Sequence, residues 1–168
     1  TASSDNYTIT LVNGTYTITK KDIEDEDLGN EFSFDNASFV YDGTEKKIEV
    51  SNLPSDLSVS YDDNTRTNVG SQTVTATITG DNYTGSLTKT ATLEITKAAL
   101  TFTAENKTSA YKDAIVTLTY ITTGTNHDGI VPTLSTTATS TSDAGTYPIT
   151  ITASSDNYTI TLVNGTYT

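Results

Sequence analysis

Residues 1–17, TASSDNYTITLVNGTYT, recur letter for letter as residues 152–168, so the chain is one 151-residue period followed by the opening of the next. Folding alone does not require identity of that kind, because cores accept volume-conserving swaps and surfaces accept more. It marks a tandem array of recently duplicated repeats, which must fold as modules resting on like neighbours. Such an array suits a spacer or stalk, in which length matters more than any single site.

A second repeat lies inside the first. Asp-Asn-Tyr-Thr occurs at residues 5–8, 81–84 and 156–159, and VGSQTVT at 69–75 lies 75 residues before AGTYPIT at 144–150. Each period therefore holds two diverged modules of about 75 residues. A domain that small buries only about 60% of its unfolded surface. Leu, Ile, Val and Phe make up roughly a fifth of the chain and the net charge is −12, a composition near the border of disorder. The modules are thus expected to be folded but thin-cored, with part of their stability coming from neighbour contacts.

Cysteine is absent, so no disulfide or thiolate metal site contributes. No run of about 18 apolar residues is present and no signal peptide is visible, as expected of an internal fragment without membrane insertion. A pI near 4.2, with basic residues clustered only at Lys20-Lys21 and Lys46-Lys47, argues against a nucleic-acid partner, whose phosphates would be repelled.

More than a fifth of the residues are Thr, alternating with apolar positions, as in Val74-Thr75-Ala76-Thr77-Ile78-Thr79. Period two with β-branched residues predicts half-buried strands and an all-β fold of two small antiparallel modules, Ig-like or β-grasp-like, arranged end to end. In the first module strands are expected at 32–34, 38–41, 47–51, 57–61, 72–79 and 86–96. In the second they are expected at 100–105, 116–122, 134–139, 146–153, 158–163 and from 166 onward. Asn13-Gly14 and Asn164-Gly165 predict type I′ hairpins, since both central residues of that turn need positive φ. No helix is expected beyond a turn or single helical turn within 128–134.

The organisation read from these signals has four parts. Residues 1–20 are the terminal hairpin of a preceding repeat, and 21–31 an acidic linker. The first β module spans 32–97 and the second 98–168, with its last strand truncated. Residues 94–102 contain neither Gly nor Pro, so the link between modules should be short, extended and stiff. The uncovered hairpin at 1–20 should pack on the first module or pair with another chain.

Residues 22–31, DIEDEDLGNE, carry six acids and raise a calcium reading, but they lack the alternating D-x-D-x-D-G order of an EF-hand, and a run of like charge is ordinarily a solvated loop. Asp62-Asp63-Asn64 reads as a turn. The lone His127 precedes Asp128-Gly129, a turn dipeptide, and no second His, Cys or nucleophile elbow is present. No catalytic residue, cofactor or metal ligand is therefore assigned. Seven Asn-x-Ser/Thr sequons, at Asn6, Asn13, Asn36, Asn82, Asn106, Asn157 and Asn164, coincide mostly with turns. Thr ladders could order water, yet uneven, twisted strands would splay their hydroxyls. The ten Tyr residues could stack on sugars, but Tyr7, Tyr83 and Tyr158 recur at equivalent positions, which favours packing. Lys47 and Lys89 lie on expected strands, where a surface stalk could form Lys–Asn isopeptide cross-links.

Tyr41-Asp42-Gly43-Thr44, Gly70, Asp81-Asn82-Tyr83-Thr84 and Leu93-Glu94-Ile95-Thr96-Lys97 resemble the YDG/MBG-type (YGX) tandem repeat domains of bacterial cell-surface adhesins. The second module resembles the same family, as the MBG type, through Leu100-Thr101-Phe102-Thr103-Ala104, Tyr111-Lys112-Asp113, Leu118-Thr119-Tyr120, Ala144-Gly145-Thr146-Tyr147 and Asn157-Tyr158-Thr159-Ile160-Thr161. Where the family has Tyr-Gly-Asp this chain has Lys112, and an L residue at positive φ is strained. The resemblance implies a stalk repeat of a cell-wall-anchored, extracellular Gram-positive adhesin, with neighbouring repeats and a host glycan or protein as partners and no catalytic residues. Asp143 to Tyr147 is similar to the tyrosine corner of Ig-like sandwiches, in which the Tyr hydroxyl bonds back to the preceding turn. In the first module Gln72 stands at that place.

Overall fold

The computed structural model describes residues 1–23, 31–124 and 127–168. Twelve strands and no helix occur among them: β1 (Lys21–Asp22), β2 (Ala37–Val40), β3 (Ser58–Asp62), β4 (Gly70–Thr79), β5 (Tyr83–Thr84), β6 (Leu87–Thr96), β7 (Ala98–Ala104), β8 (Tyr120–Thr123), β9 (Thr133–Thr136), β10 (Tyr147–Thr152), β11 (Tyr158–Val163) and β12 (Gly165–Tyr167). The fold is all-β in two tandem modules, as the period-two pattern predicts. The first is a four-stranded sheet in the order β2-β6-β4-β3 beside the pair β1-β5; the second holds two three-stranded sheets, β12-β10-β9 and β11-β7-β8.

The sheets are mixed rather than antiparallel throughout. β2 runs parallel to β6, β1 to β5 and β7 to β11, because each module zips its opening strand against its closing one. Alternation reports which face is buried and says nothing of strand direction.

Apolar residues at every second position fill the cores. Val74, Ala76 and Ile78 of β4 and Ala91 and Leu93 of β6 face one cluster; Leu100 and Phe102 of β7 and Ile149 and Ile151 of β10 face the other. On the opposite face of the β4–β6 pair, Thr73, Thr75 and Thr77 stand across from Thr92, Thr90 and Thr88. Cross-strand Thr pairs of this kind stabilise a sheet without adding apolar surface. The accessible surface, 11213 Å², exceeds the about 8,000 Å² of a compact globule of this mass, and the exposed residues 1–20 contribute to the excess.

Other expectations fail for identifiable reasons. Residues 32–34 and 47–51 share a single isolated bridge, Ser33 with Ser51, instead of forming strands, and Lys46 just before them bridges Arg66. Side chains take the backbone groups there. Asn64 accepts from Ile48 N at 2.9 Å and donates to Ile48 O at 2.7 Å, and Tyr61 Oη accepts from Val50 N at 2.8 Å. Neither Asn-Gly pair forms a hairpin. Only Asn164 separates β11 from β12, and the chain there passes from one sheet to the other. Asn164 Oδ1 accepts from Ile151 N at 3.2 Å, and a Cβ on Gly165 would stand 2.8 Å from the Ala104 carbonyl oxygen, so Gly serves close approach rather than positive φ. The paired positive φ falls at Asp128 (46°) and Gly129 (70°) instead. Residues 1–20 contain no strand and are exposed, and Asp22 and Ile23, read as linker, belong to the first module: Ile23 is fully buried in its core. Most of the acidic run, residues 24–30, lies outside the described residues.

Candidate functional site: the junction of the two modules

Strands β6 and β7 are separated by Lys97 alone, as the absence of Gly and Pro predicts. Alternation along β6 places Ala91, Leu93 and Ile95 on one side, yet Ile95 is buried with the second module's residues while the other two belong to the first. Tyr41 also leaves its own module and packs into the second core. The second module is therefore capped by the first, through buried Tyr41 and Ile95 and half-buried Val69.

Tyr41 reaches that position because β2 continues beside β6, with Tyr41 N donating to Thr96 O at 2.9 Å. The Asp42-Gly43 turn that follows is tied by Asp42 Oδ1 accepting from Thr44 N at 2.9 Å and by Lys46 Nζ on Asp42 Oδ2 at 2.6 Å. The Lys46 and Thr44 donors hold the Asp42 carboxyl well below the usual carboxylate range. Gly43 takes φ 78°.

The Tyr41 ring meets Tyr158 edge to face, centroids 5.4 Å apart and planes at 84°, a favoured aromatic geometry. Its hydroxyl donates to Asp128 Oδ2 at 2.6 Å. That bond, burial and the Asp128 charge raise the Tyr41 pKa. The Tyr158 hydroxyl, buried and without a hydrogen bond of good geometry, faces the same carboxylate; burial first and the Asp128 charge second push its pKa up to about 12. The polar rim is completed by Asn157, whose Oδ1 accepts from Val69 N at 3.0 Å and whose Nδ2 donates to Asn68 Oδ1 at 3.0 Å. Asn157 O also accepts from Ala98 N at 3.2 Å. Chemically the arrangement is an adhesive contact with an aromatic centre and a hydrogen-bonded rim.

The residues singled out from sequence fall elsewhere. His127 O accepts from Ile130 N at 2.7 Å, closing the turn that carries Asp128. Asp63 takes φ 55° in the turn that presents Asn64. Among the described residues no group of three His, Cys, Asp or Glu stands close enough to hold a metal ion. Lys47 pairs with Glu45 at 3.2 Å, and Lys89 Nζ lies over the Phe32 ring and donates to Phe32 O at 3.3 Å. Four of the seven sequon Asn side chains replace missing backbone partners: Asn36 accepts from Thr92 N, Asn106 from Thr166 N, Asn157 from Val69 N and Asn164 from Ile151 N. Tyr147 donates to Asp143 O at 2.9 Å, forming the expected corner. Gln72, at the equivalent place, donates instead to Asp63 O and Thr65 O. Lys112 adopts φ 73°, so the turn is kept with a strained residue in it.

Sequence reading did not bring Tyr41, Asp128, Asn157 and Tyr158 together. Part of the signal was present: Tyr41 opens the Tyr41-Asp42-Gly43 motif, and Asn157 and Tyr158 belong to the recurring Asp-Asn-Tyr-Thr.

Residues 31–99 match the MBG domain, and residues 100–168 match the MBG domain of YGX type. No curated protein matches the chain. With both modules accounted for from residue 31 to residue 168, the chain belongs to the MBG domain family and carries two of its domains in tandem.

Proposed function

We propose that this period is a spacer unit of a bacterial surface adhesin, holding a separate binding domain away from the cell wall. MBG repeats are typical of extracellular surface proteins. The observation that carries the spacer reading is the junction: a one-residue link between strands, with Tyr41 and Ile95 of one module buried in the next. A link of that kind resists bending, which a projecting stalk needs and an independent binding module does not. Strands of ten residues, β4 and β6, give the first module a length on the order of 35 Å at about 3.3 Å per residue. Small-angle scattering from one, two and three periods should show the maximum dimension rising almost linearly, and a plateau would refute a rod.

A second reading rests on a groove of about 270 Å³ at the end of the second module, lined by Ser109, Tyr111, Ser142, Asp143, Tyr147 and Tyr167. Tyr rings beside hydroxyls and a carboxylate suit weak binding of a host glycan or protein, multiplied by avidity along the array. Micromolar binding of one period to a glycan array or to mucin would favour this reading over a passive spacer.

A further inference from the structure

The two ends of the period carry the two halves of a second junction built like the first. The equivalence of the modules fixes the positions. Asn36 Oδ1 accepts from Thr92 N at 2.7 Å, and Asn106 Oδ1 accepts from Thr166 N at 2.8 Å. β2 runs parallel to β6; likewise Lys107 N donates to Thr166 O at 2.9 Å and Ser109 N to Thr168 O at 3.0 Å. In that superposition Tyr111 stands where Tyr41 does, and Asp143-Ala144 where Asn68-Val69 do. Tyr41 is buried, whereas Tyr111 is 61% exposed.

The receiving half lies at the start of the first module. Lys21 N donates to Asn82 O at 3.0 Å, as Ala98 N does to Asn157 O. Lys21 is in register with Tyr83 as Ala98 is with Tyr158, and Ile23 is buried in the place of Leu100. The turn closed by Leu57 N on Pro54 O at 3.0 Å matches the one closed by Ile130 N on His127 O, and each brings an Asp near the tyrosine, Asp56 one place later in its turn than Asp128: Tyr83 donates to Asp56 Oδ2 at 3.0 Å. Beside it is a shallow depression of about 360 Å³ lined by Ser55, Asp56, Ser58, Gly80 and Asn82.

The repeat itself supplies the occupant. Thr168 has Thr17 as its counterpart, and Thr17 is followed by Ile18-Thr19-Lys20, which match Ile95-Thr96-Lys97 at the internal link. Ile18 is 85% exposed here, while Ile95 is buried.

We infer that Tyr111 of each period docks on the Tyr83, Asp56 and Asn82 face of the period that follows, so that every junction in the array repeats the internal one. The Tyr111 ring edge meets Tyr83 and its hydroxyl donates to Asp56, whose carboxylate accepts several donors. Asn82 takes the Ala144 N–H and donates to Asp143, and Ile18 is buried beneath. The inference rests on the tandem-spacer reading, and it places the groove at Tyr111 and Asp143 under the next module, open only at the end of an array.

The test uses a two-period chain, residues 1–151 followed by 1–168. The chain has no cysteine, so Ser60→Cys and Thr161→Cys place two spin labels without competition. Labels on Ser60 and Thr161 of the second copy span an internal junction; labels on Thr10→Cys of the second copy, which fills the place of residue 161 in the first period, and on Ser60 of the second copy span the new one. Pulsed dipolar distances should be equally narrow for both pairs, and Tyr111→Ala in the first period should broaden the second pair at least twofold while leaving the first unchanged. In a single period Tyr111→Ala should not shift the thermal midpoint, which separates docking from misfolding. A broad distribution across the new junction, or one indifferent to Tyr111→Ala, overturns the inference. Scattering lengths that still rise linearly in that case would leave the spacer reading standing.

Discussion

The Tyr41 hydroxyl and the Asp128 carboxylate, 2.6 Å apart, join two modules whose backbones are linked only through Lys97. A hydrogen bond to an ionised group contributes about 1.5–3 kcal/mol, less where water reaches it, and Asp128 is an exposed residue. Tyr41→Phe should therefore cost about 1 kcal/mol in chemical denaturation. A double-mutant cycle with Asp128→Ala should return a coupling of about 1 kcal/mol, whereas strict additivity would show that the bond contributes nothing.

Alkali should loosen the same contact. Tyr158 and Tyr41 both ionise above the ordinary tyrosine value when folded, Tyr158 at about 12. Between pH 10 and 12 the unfolded chain therefore binds fewer protons than the folded one, so stability falls as pH rises. Below pH 10 these groups give no slope. Denaturation midpoints measured from pH 8 to 12 should decline only over the upper half of that range, and Tyr158→Phe should flatten the decline.

Lys112 lies in the left-handed region at φ 73°, a conformation that costs an L residue about 1–2 kcal/mol. Its amide bonds to Ser140 O at 2.8 Å, which holds the turn in place. Lys112→Gly should keep that bond and raise stability by about 1 kcal/mol. A lower thermal midpoint would mean that the lysine side chain, 5.4 Å from the Tyr111 ring centroid, outweighs the strain.

Tyr16 and Tyr167 are the same residue of the same 17-residue sequence. Tyr167 is buried, donates to Ser109 Oγ at 3.0 Å and accepts from Val116 N at 2.8 Å. Tyr167→Ala should cost about 3–5 kcal/mol, the range for emptying an aromatic core site, while Tyr16→Ala should stay within about 0.5 kcal/mol. Deleting residues 1–17 should likewise leave the thermal midpoint in place, and a lower one would show that the segment is part of the first module.

The sequence by itself determined the tandem organisation, the all-β class, the apolar face of each long strand and the short link at Lys97. These follow from identity, from period-two patterning and from the absence of Gly and Pro, all of which are local properties. It did not determine that β2, β1 and β7 pair in parallel, because pleat alternation is blind to direction. It did not reveal that Asn64, Asn106 and Asn164 stand in for backbone partners, since the groups they satisfy come from distant residues. The clearest case is the repeated segment. Tyr7 is 78% exposed and Tyr158 is 3% exposed, in identical surroundings of sequence. Residues 158–163 become a strand because β7 offers its edge and a core waits for Tyr158; residues 7–12 meet neither. A short β segment buries too little on its own to offset its ordering entropy, so its structure belongs to the module that receives it.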